Sequence, residues 1–214
     1  MALVCPTILA KSKADFDSQI KNVATIAHRI QIDLTDGRFA EGAELGPSPV
    51  WWPAGIKADI HLMYKQPLKT AKDLLEHRPH MIIAHAEADG NFSELNTMTK
   101  SYGVKIGLAI LPATEVQSIA AVIGELDHVL IFSGDLGRFG GHADLSLLSK
   151  VHELRKIDPS IEIGWDGGIN DQNIAELAMG GVDILNVGGY IQNSENPHHA
   201  YAILERIAEE AGTT

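Results

Sequence analysis

The sequence predicts a closed barrel of eight parallel strands in one domain that spans residues 1–214, and three observations predict it. Eight apolar runs of strand length recur along the whole chain. Helical patterns occupy most of the gaps between these runs. The 214 residues, divided among eight strands, leave about 27 residues for each strand and its helix, which suits a (β/α)8 TIM barrel. An open, doubly wound sheet is the alternative architecture.

The predicted strands are continuous apolar runs rather than alternations of apolar and polar residues. Such runs are typical of strands that are buried on both faces, as in a parallel sheet. The predicted strands cover residues 2–9, 29–34, 58–63, 81–85, 105–111, 128–132, 161–165 and 184–187.

Helical periodicity fills the gaps after most of these strands. The predicted helices cover residues 14–27, 68–77, 115–126, 145–157, 173–179 and 200–211, with a weaker pattern at 93–102. Residues 36–57 contain three prolines and show no helical period, so we predict a loop there. Trp51 and Trp52 lie in this loop, where they could pack against the protein, form an interface patch or cover a site as a flap.

The balance of charge and the cysteine count restrict the class of protein. Lys and Arg number 17 and Asp and Glu number 28, so the formal net charge is −11. A surface of this charge repels nucleic acid and anionic membranes, and we predict neither partner. The chain has no apolar run long enough to span a membrane and no basic signal-peptide start, so we predict a cytoplasmic protein. The single cysteine, Cys5, excludes an internal disulfide and agrees with that compartment.

Polar residues stand at the carboxyl ends of several predicted strands, where the active site of such a barrel lies. They are Gln31 and Asp33 on the second strand, His61 on the third, His85 on the fourth and Asp166 on the seventh. One Asp after a strand is often a turn former, but this set at one barrel end indicates a site. Asp33, His61 and Asp166 suit a divalent transition metal, which would polarise a carbonyl group and stabilise an enediolate oxygen. The two carboxylates could exchange protons at one carbon.

Glycine pairs follow the last three strands and indicate a second part of the site. The pairs are Gly140–Gly141, Gly167–Gly168 and Gly188–Gly189. Loops after the late strands of such barrels commonly hold phosphate through backbone N–H groups, and glycine allows the close approach. Backbone donors would also let a protein of charge −11 bind an anion.

Five short motifs, in order along the full chain, resemble those of the ribulose-phosphate 3-epimerase family. Residues 5–9, CPTIL, resemble the family's Pro-Ser-Ile-Leu, and residues 31–39, QIDLTDGRF, resemble its His-x-Asp-x-Met-Asp-Gly-x-Phe. Residues 59–63, DIHLM, resemble its Asp-x-His-Leu-Met. Residues 85–88, HAEA, match its His-x-Glu-Ala, and residues 166–169, DGGI, match its Asp-Gly-Gly-Ile/Val. Each motif is short, but the combination is specific.

The resemblance implies an isomerase of the pentose phosphate pathway that reversibly inverts C3 of a ketose phosphate. The sequence leaves a homo-oligomer open. The expected reaction converts D-ribulose 5-phosphate to D-xylulose 5-phosphate, or acts on a close analogue. The family binds one divalent metal (Zn, Fe, Mn or Co), and the corresponding positions here are Gln31, Asp33, His61 and Asp166, with Asp33 and Asp166 as acid and base. The expected contacts to the sugar phosphate are Thr7, His61, Met63, His85, Gly140, Gly141, Gly167, Gly168, Gly188 and Gly189.

Three departures from the family pattern keep two other functions open. Gln31 replaces a metal-binding His and offers a weaker, harder ligand, and Thr35 replaces a Met and makes that side of the site more polar. Residues 132–142 lack the family's Pro-Gly-Phe-Gly-Gly-Gln. One alternative is a non-catalytic phosphosugar-binding barrel. The other is a phosphosugar decarboxylase or aldolase; a Schiff-base aldolase needs a lysine at a strand's carboxyl end, whereas Lys57 and Lys105 stand at strand starts.

Overall fold

The structure, a computed structural model, describes residues 1–42 and 45–212. Its eight strands form a closed parallel barrel in sequence order, because β1 pairs with both β2 and β8. The strands are β1 Leu3–Ile8, β2 Arg29–Thr35, β3 Lys57–Met63, β4 Met81–His85, β5 Lys105–Ile110, β6 His128–Phe132, β7 Glu162–Asp166 and β8 Ile184–Val187. The prediction of a (β/α)8 barrel is confirmed, and the open sheet is excluded.

In the part of the chain that the structure describes, helices follow six of the eight strands and cover the outside of the barrel. They are α1 Lys13–Val23, α2 Pro67–Leu75, α3 Phe92–Ser101, α4 Leu148–Ile157, α5 Ile174–Met179, α6 Gly189–Gln192 and α7 Pro197–Ala211. A short 3-10 turn, Leu145–Leu147, precedes α4. Among the described helices, none is long and apolar enough to cross a membrane.

The predicted helix over residues 115–126 is wrong. The connection between β5 and β6 instead contains two 3-10 turns, Val116–Ile119 and Ile123–Glu125. Four β-branched residues and Gly124 lower the helix propensity of this stretch, and its apolar residues can be buried without a full helix. The spacing of apolar residues here therefore indicates which residues are buried, and it does not indicate an α-helix.

The barrel interior contains a small apolar cluster and several buried polar side chains. Met81, Ile83, Ala109 and Leu130, from β4, β5 and β6, form a small apolar cluster inside the barrel. Their outward-facing neighbours pack under the helices in the main core. The buried polar side chains near the barrel mouth come from β1, β2, β3, β4, β7 and β8, and they surround the candidate site.

A buried ionic cluster closes the amino-terminal end of the barrel. Arg29 donates to Asp59 at 2.6 Å and makes a two-pronged contact with Glu162 at 2.7 and 2.9 Å. His128 Nδ1 lies 2.9 Å from the same Glu162 carboxylate, and Gly164 leaves room for its ring, since a Cβ there would lie 2.5 Å from His128 Nε2. Residues at this end of such barrels serve stability rather than chemistry.

Among its described residues, the long connection between β2 and β3 has no helix, as predicted, and its two tryptophans pack on the outside of the barrel. Residues 43 and 44 of this predicted loop lie outside the described residues. Trp51 Nε1 donates to Asp17 Oδ1 on α1 at 2.8 Å, and Trp52 packs against the main core. Of the three roles considered for these tryptophans, packing against the protein is the one the contacts support.

Candidate active site

Two carboxylates and an imidazole meet at the carboxyl ends of β2, β3 and β7. The strand register places Asp33 beside His61, and barrel closure brings Asp166 across to both. His61 Nδ1 lies 3.0 Å from Asp33 Oδ1 and 3.7 Å from Asp166 Oδ2. One potential ligand atom from each of the three residues lies within 4.8 Å of the others, and all three side chains are buried. This arrangement could hold a metal ion.

Gln31 lies beneath this cluster and bridges its two carboxylates. Its Nε2 donates to Asp33 Oδ1 at 2.8 Å and to Asp166 Oδ2 at 2.6 Å. Its Oε1 is buried and has no hydrogen-bond partner among the described residues. Rotation of the amide by 180° exchanges these two atoms and turns the oxygen toward the same point. The donor set therefore fits a divalent cation, with two carboxylate oxygens, one imidazole nitrogen and an amide oxygen that lacks a partner.

The electrostatics of the cluster favour a bound cation. Burial raises the pKa of the Asp33 carboxyl group well above its usual range. Burial does the same for Asp166, and the neighbouring charge of Asp33 adds to the rise. Burial also lowers the pKa of His61 to about 4, so the imidazole is neutral. Two buried carboxylates without a positive partner are unstable together, and a divalent cation removes that penalty.

Two further residues stand in a row behind His61. His61 Nε2 lies 2.8 Å from His85 Nε2, and His85 Nδ1 lies 3.3 Å from Glu87 Oε2. Glu87 was not among the predicted site residues, although it is part of the quoted HAEA motif. The signal that could have found it is its position two residues after His85, at the end of a buried strand.

A pocket of about 240 Å³ opens above the cluster at the barrel mouth. It gathers Asp33, Asp166 and most of the predicted substrate contacts, which are Thr7, Met63, Gly140, Gly141, Gly167, Gly168, Gly188 and Gly189. The other three predicted residues, Gln31, His61 and His85, are not among those that line the pocket. Arg138 is the only basic side chain among the described lining residues; it is exposed and lies 3.8 Å from Glu41.

Several of the glycines are required by loop packing. Gly167 has a φ of 112°, and a Cβ there would lie 2.1 Å from the backbone nitrogen of Gly134. A Cβ on Gly168 would lie 2.1 Å from Ala143 N, and one on Gly188 would lie 2.5 Å from the Phe139 ring. The loop after β7 can therefore approach the loop after β6 only without side chains.

Asn186 was missed by the sequence analysis. It lies beside Asp166 in the register of β7 and β8, is 2% exposed and lines the pocket. Its Oδ1 has no partner among the described residues, and neither has the hydroxyl of Thr7 on β1. Buried polar atoms without partners are uncommon, so these two are candidates to bind a polar ligand. A single Asn inside an apolar run was the available signal.

Thr35 has a different place from the one expected. Its hydroxyl donates to Ala40 O at 2.6 Å and accepts from the N–H of Gly37 at 3.1 Å. It does not line the pocket, so it holds the loop after β2 rather than adding polarity to the substrate side.

The fold and this site define a (β/α)8 barrel enzyme with a candidate metal centre at its mouth. The sequence model of the ribulose-phosphate 3 epimerase family matches residues 3–192, and the chain belongs to this family. That membership makes it an isomerase and confirms the resemblance found in the motifs.

Relatives that are named ribulose-phosphate 3-epimerase align with nearly the whole chain. The ribulose-phosphate 3-epimerase of Helicobacter pylori is 29% identical over 216 aligned positions, which cover 96% of this chain and 98% of the relative. That of Mycobacterium bovis is 31% identical and covers 96% of this chain and 93% of the relative. That of Bacillus subtilis is 30% identical over 203 positions, which cover 89% of this chain and 92% of the relative.

Solved structures with low sequence identity share the fold. The 3-hexulose-6-phosphate synthase of Salmonella typhimurium superposes with a TM-score of 0.71 at 12% identity, over 97% of this chain and 99% of the other. The orotidine 5'-monophosphate decarboxylase of Sulfolobus solfataricus gives a TM-score of 0.69 at 14% identity, over 99% of each chain. At these identities the likeness concerns the barrel alone.

Proposed function

We propose that this protein catalyses metal-dependent epimerisation at C3 of a ketose phosphate, D-ribulose 5-phosphate to D-xylulose 5-phosphate or a close analogue. The observation that carries the proposal is the buried cluster of Asp33, His61 and Asp166 at the pocket floor. The names of the relatives supply the substrate class.

The metal site consists of Asp33, His61 and Asp166, with the amide oxygen of Gln31 as a weaker fourth ligand. The metal is one divalent ion of Zn, Fe, Mn or Co, which suit mixed carboxylate and imidazole ligands. When bound, it supplies positive charge that offsets negative charge developing on the substrate during proton removal.

The two carboxylates perform the proton transfers. Asp33 on β2 and Asp166 on β7 line the same pocket from different strands, so each can reach a different face of a flat enediolate. One accepts the proton from C3 and the other donates a proton to the opposite face, and the roles exchange in the reverse reaction. Their raised pKa values make both groups suitable for exchange near neutral pH.

The phosphate group is held by the glycine loops after β6, β7 and β8. Those loops line one wall of the pocket, and the single basic side chain there, Arg138, is at the exposed rim. Backbone N–H groups are therefore the main donors for an anion in this proposal.

The two alternatives have less support. Lys57 and Lys105 are the first residues of β3 and β5, at the end opposite the pocket, and no lysine stands among the described lining residues. That argues against a Schiff-base aldolase. A non-catalytic binder would not require both carboxylates and the imidazole to stay together under the pocket, as they do here.

The test is turnover with defined metal content. Protein purified without chelators, then loaded with Co²⁺ or Zn²⁺, should convert D-ribulose 5-phosphate to D-xylulose 5-phosphate, and EDTA should abolish the activity. Asp33→Asn should lose at least ~10²-fold, since general acid–base help is worth roughly 10²–10⁴. Asp73→Asn, which changes an exposed carboxylate on α2 away from the pocket, is the matched control. Binding of the sugar phosphate without turnover in any metal form would support the binding barrel instead.

A further inference from the structure

A line of hydrogen-bonding groups runs from the cluster into the barrel wall. His61 and His85 contact each other through their Nε2 atoms at 2.8 Å, and His85 Nδ1 faces Glu87 Oε2 at 3.3 Å. Both imidazoles are buried, with 0% and 3% of their surface exposed. The ring of Phe39 lies 4.6 Å from that of His85, and Phe132 flanks both imidazoles at about 6 Å. These rings exclude water from the contact.

The protons of this line can be assigned by counting donors and acceptors. An ionised carboxylate only accepts, so His85 Nδ1 must carry the proton that faces Glu87. A neutral His85 then has a lone pair on Nε2, which accepts from the N–H of His61 Nε2. A neutral His61 protonated at Nε2 has its lone pair on Nδ1. That nitrogen lies 3.0 Å from Asp33 Oδ1 and 3.7 Å from Asp166 Oδ2. An ionised carboxylate cannot donate to a lone pair, so this order requires either a cation between these groups or a proton on Asp33.

Hydrogen bonds keep Glu87 ionised, so it can only accept, and this sets the positions of the protons on His85 and His61. Glu87 Oε1 accepts from the N–H of Leu111 at 2.9 Å and from the hydroxyl of Thr114. Burial acts to raise its pKa, but the hydrogen bonds from His85, Thr114 and Leu111 hold the pKa of Glu87 at about 2. The group is therefore a carboxylate at any working pH.

The loop that holds Glu87 is itself anchored by a buried lysine on α4. Lys150 Nζ donates to the carbonyl oxygens of Leu111, Pro112 and Thr114 at 2.8, 2.9 and 2.6 Å. Those three bonds use all the donors of the ammonium group. These bonds tie the loop that holds the acceptor end of the line to α4.

We propose that Glu87 and His85 are positioning residues that fix the tautomer of His61 and so present its Nδ1 lone pair to the metal. This inference rests on the metal-dependent function proposed above. It also explains the choice of a cation, because a lone pair and two carboxylates converge at one point. Partners beyond the ligands of a metal typically change its affinity by 10–100-fold when they are removed.

Glu87→Gln is the variant that reverses the order of protons. The N–H of Leu111 requires an acceptor, so the amide oxygen of the new side chain takes the position of Oε1 and its NH2 group faces His85. His85 Nδ1 must then accept, its Nε2 donates to His61, and His61 carries its proton on Nδ1. The metal loses its ligand atom without any change in side-chain size. Glu115→Gln, an exposed carboxylate that follows the same loop, is the matched control.

The test combines ¹⁵N NMR of the histidine rings in the metal-free protein with Co²⁺ titration followed by visible absorption. The NMR spectra are recorded at a pH between the lowered pKa of His61 and the raised pKa of Asp33, where His61 is neutral and Asp33 carries a proton. Wild-type His61 should be protonated at Nε2, and Glu87→Gln should move the proton to Nδ1 and weaken Co²⁺ binding by 10–100-fold. Glu115→Gln should match the wild type in both measurements. The NMR signals of the His61 ring nitrogens are identified as those that disappear in the His61→Gln variant.

Two results overturn the proposal. One is a wild-type His61 that carries its proton on Nδ1, a result that needs no variant to fold. The other is a folded Glu87→Gln protein with an unchanged tautomer and unchanged Co²⁺ affinity. If the wild type fails to bind Co²⁺ but His61 is protonated at Nε2, the metal-dependent function fails while the tautomer assignment stands.

Discussion

Replacing Asp166 by Asn should stabilise the metal-free protein while it destroys metal binding. The carboxylates of Asp33 and Asp166 are buried, and their oxygen atoms lie within 4.8 Å of each other. Asn keeps the shape and can still accept from Gln31 Nε2, which contacts Asp166 Oδ2 at 2.6 Å. The substitution therefore removes one charge from a like-charge pair and leaves the packing in place.

The expected gain follows from the separation of the two charges. At a separation of no more than 4.8 Å and an effective dielectric constant of about 20, the repulsion is at least about 3.5 kcal/mol. The hydrogen bonds from Gln31 offset part of it, since a bond to a charged group is worth about 1.5–3 kcal/mol. We expect a net gain of about 1–3 kcal/mol in the free energy of unfolding at pH 8.

The gain should depend on pH with a defined sign. The folded-state pKa of Asp166 is raised above the unfolded value of 3.8, so its carboxyl group destabilises the fold above the folded pKa. The penalty decreases as the pH falls through the folded pKa and is absent below the unfolded value. The difference between variant and wild type should accordingly shrink between pH 8 and about pH 4.

Urea unfolding of EDTA-treated proteins measures this difference, with Asp135→Asn as the exposed control. Addition of Co²⁺ should reverse the order, because wild type gains about 4.1 kcal/mol at a metal concentration about 1,000 times the Kd. A metal-free Asp166→Asn protein that is less stable than wild type at pH 8 would refute the electrostatic account of this site.

Three further predictions concern the surroundings of the cluster. Lys150→Met should cost about 2–4 kcal/mol in urea unfolding, because it leaves three carbonyl groups without their donor, whereas the exposed Lys156→Met should change little. Gly167→Ala should raise KM for the sugar phosphate and lower Tm, since its Cβ meets the chain at 2.1 Å, while Gly124→Ala, with open space around it, should not. The folded pKa of Glu87, about 2, is below the unfolded value of 4.5, so its contribution to the free energy of unfolding is present above pH 4.5 and is lost as the pH falls toward 2. Unfolding measured across this pH range should show a loss of about 2 kcal/mol in the wild type that is missing in Glu87→Gln.

The barrel could be predicted from the sequence because every strand is buried on both faces. Each of the eight apolar runs became a strand whose ends lie within two residues of the prediction. The error at residues 115–126 has the same origin, since an apolar period reports which residues are buried and does not separate an α-helix from two 3-10 turns.

The candidate site was partly predictable for a different reason. Asp33, His61 and Asp166 end strands, and barrel closure alone brings strand ends together. The roles of Asn186 and Glu87 in the site depend on which side chains lie next to them in the folded protein, and no local sequence pattern specifies those neighbours. The bridging position of Gln31 depends on two strands that are distant in the sequence, β2 and β7, so the sequence showed a departure from a family motif without showing its geometry.

Solvent exchange at C3 tests the central claim most directly. In deuterated water, Co²⁺-loaded wild type should place deuterium at C3 of the ketopentose phosphate as it epimerises, and both Asp33→Asn and Asp166→Asn should lose the exchange with the turnover. Turnover of the ketopentose phosphate without deuterium at C3, or with full exchange in both Asn variants, would contradict proton transfer by the two carboxylates.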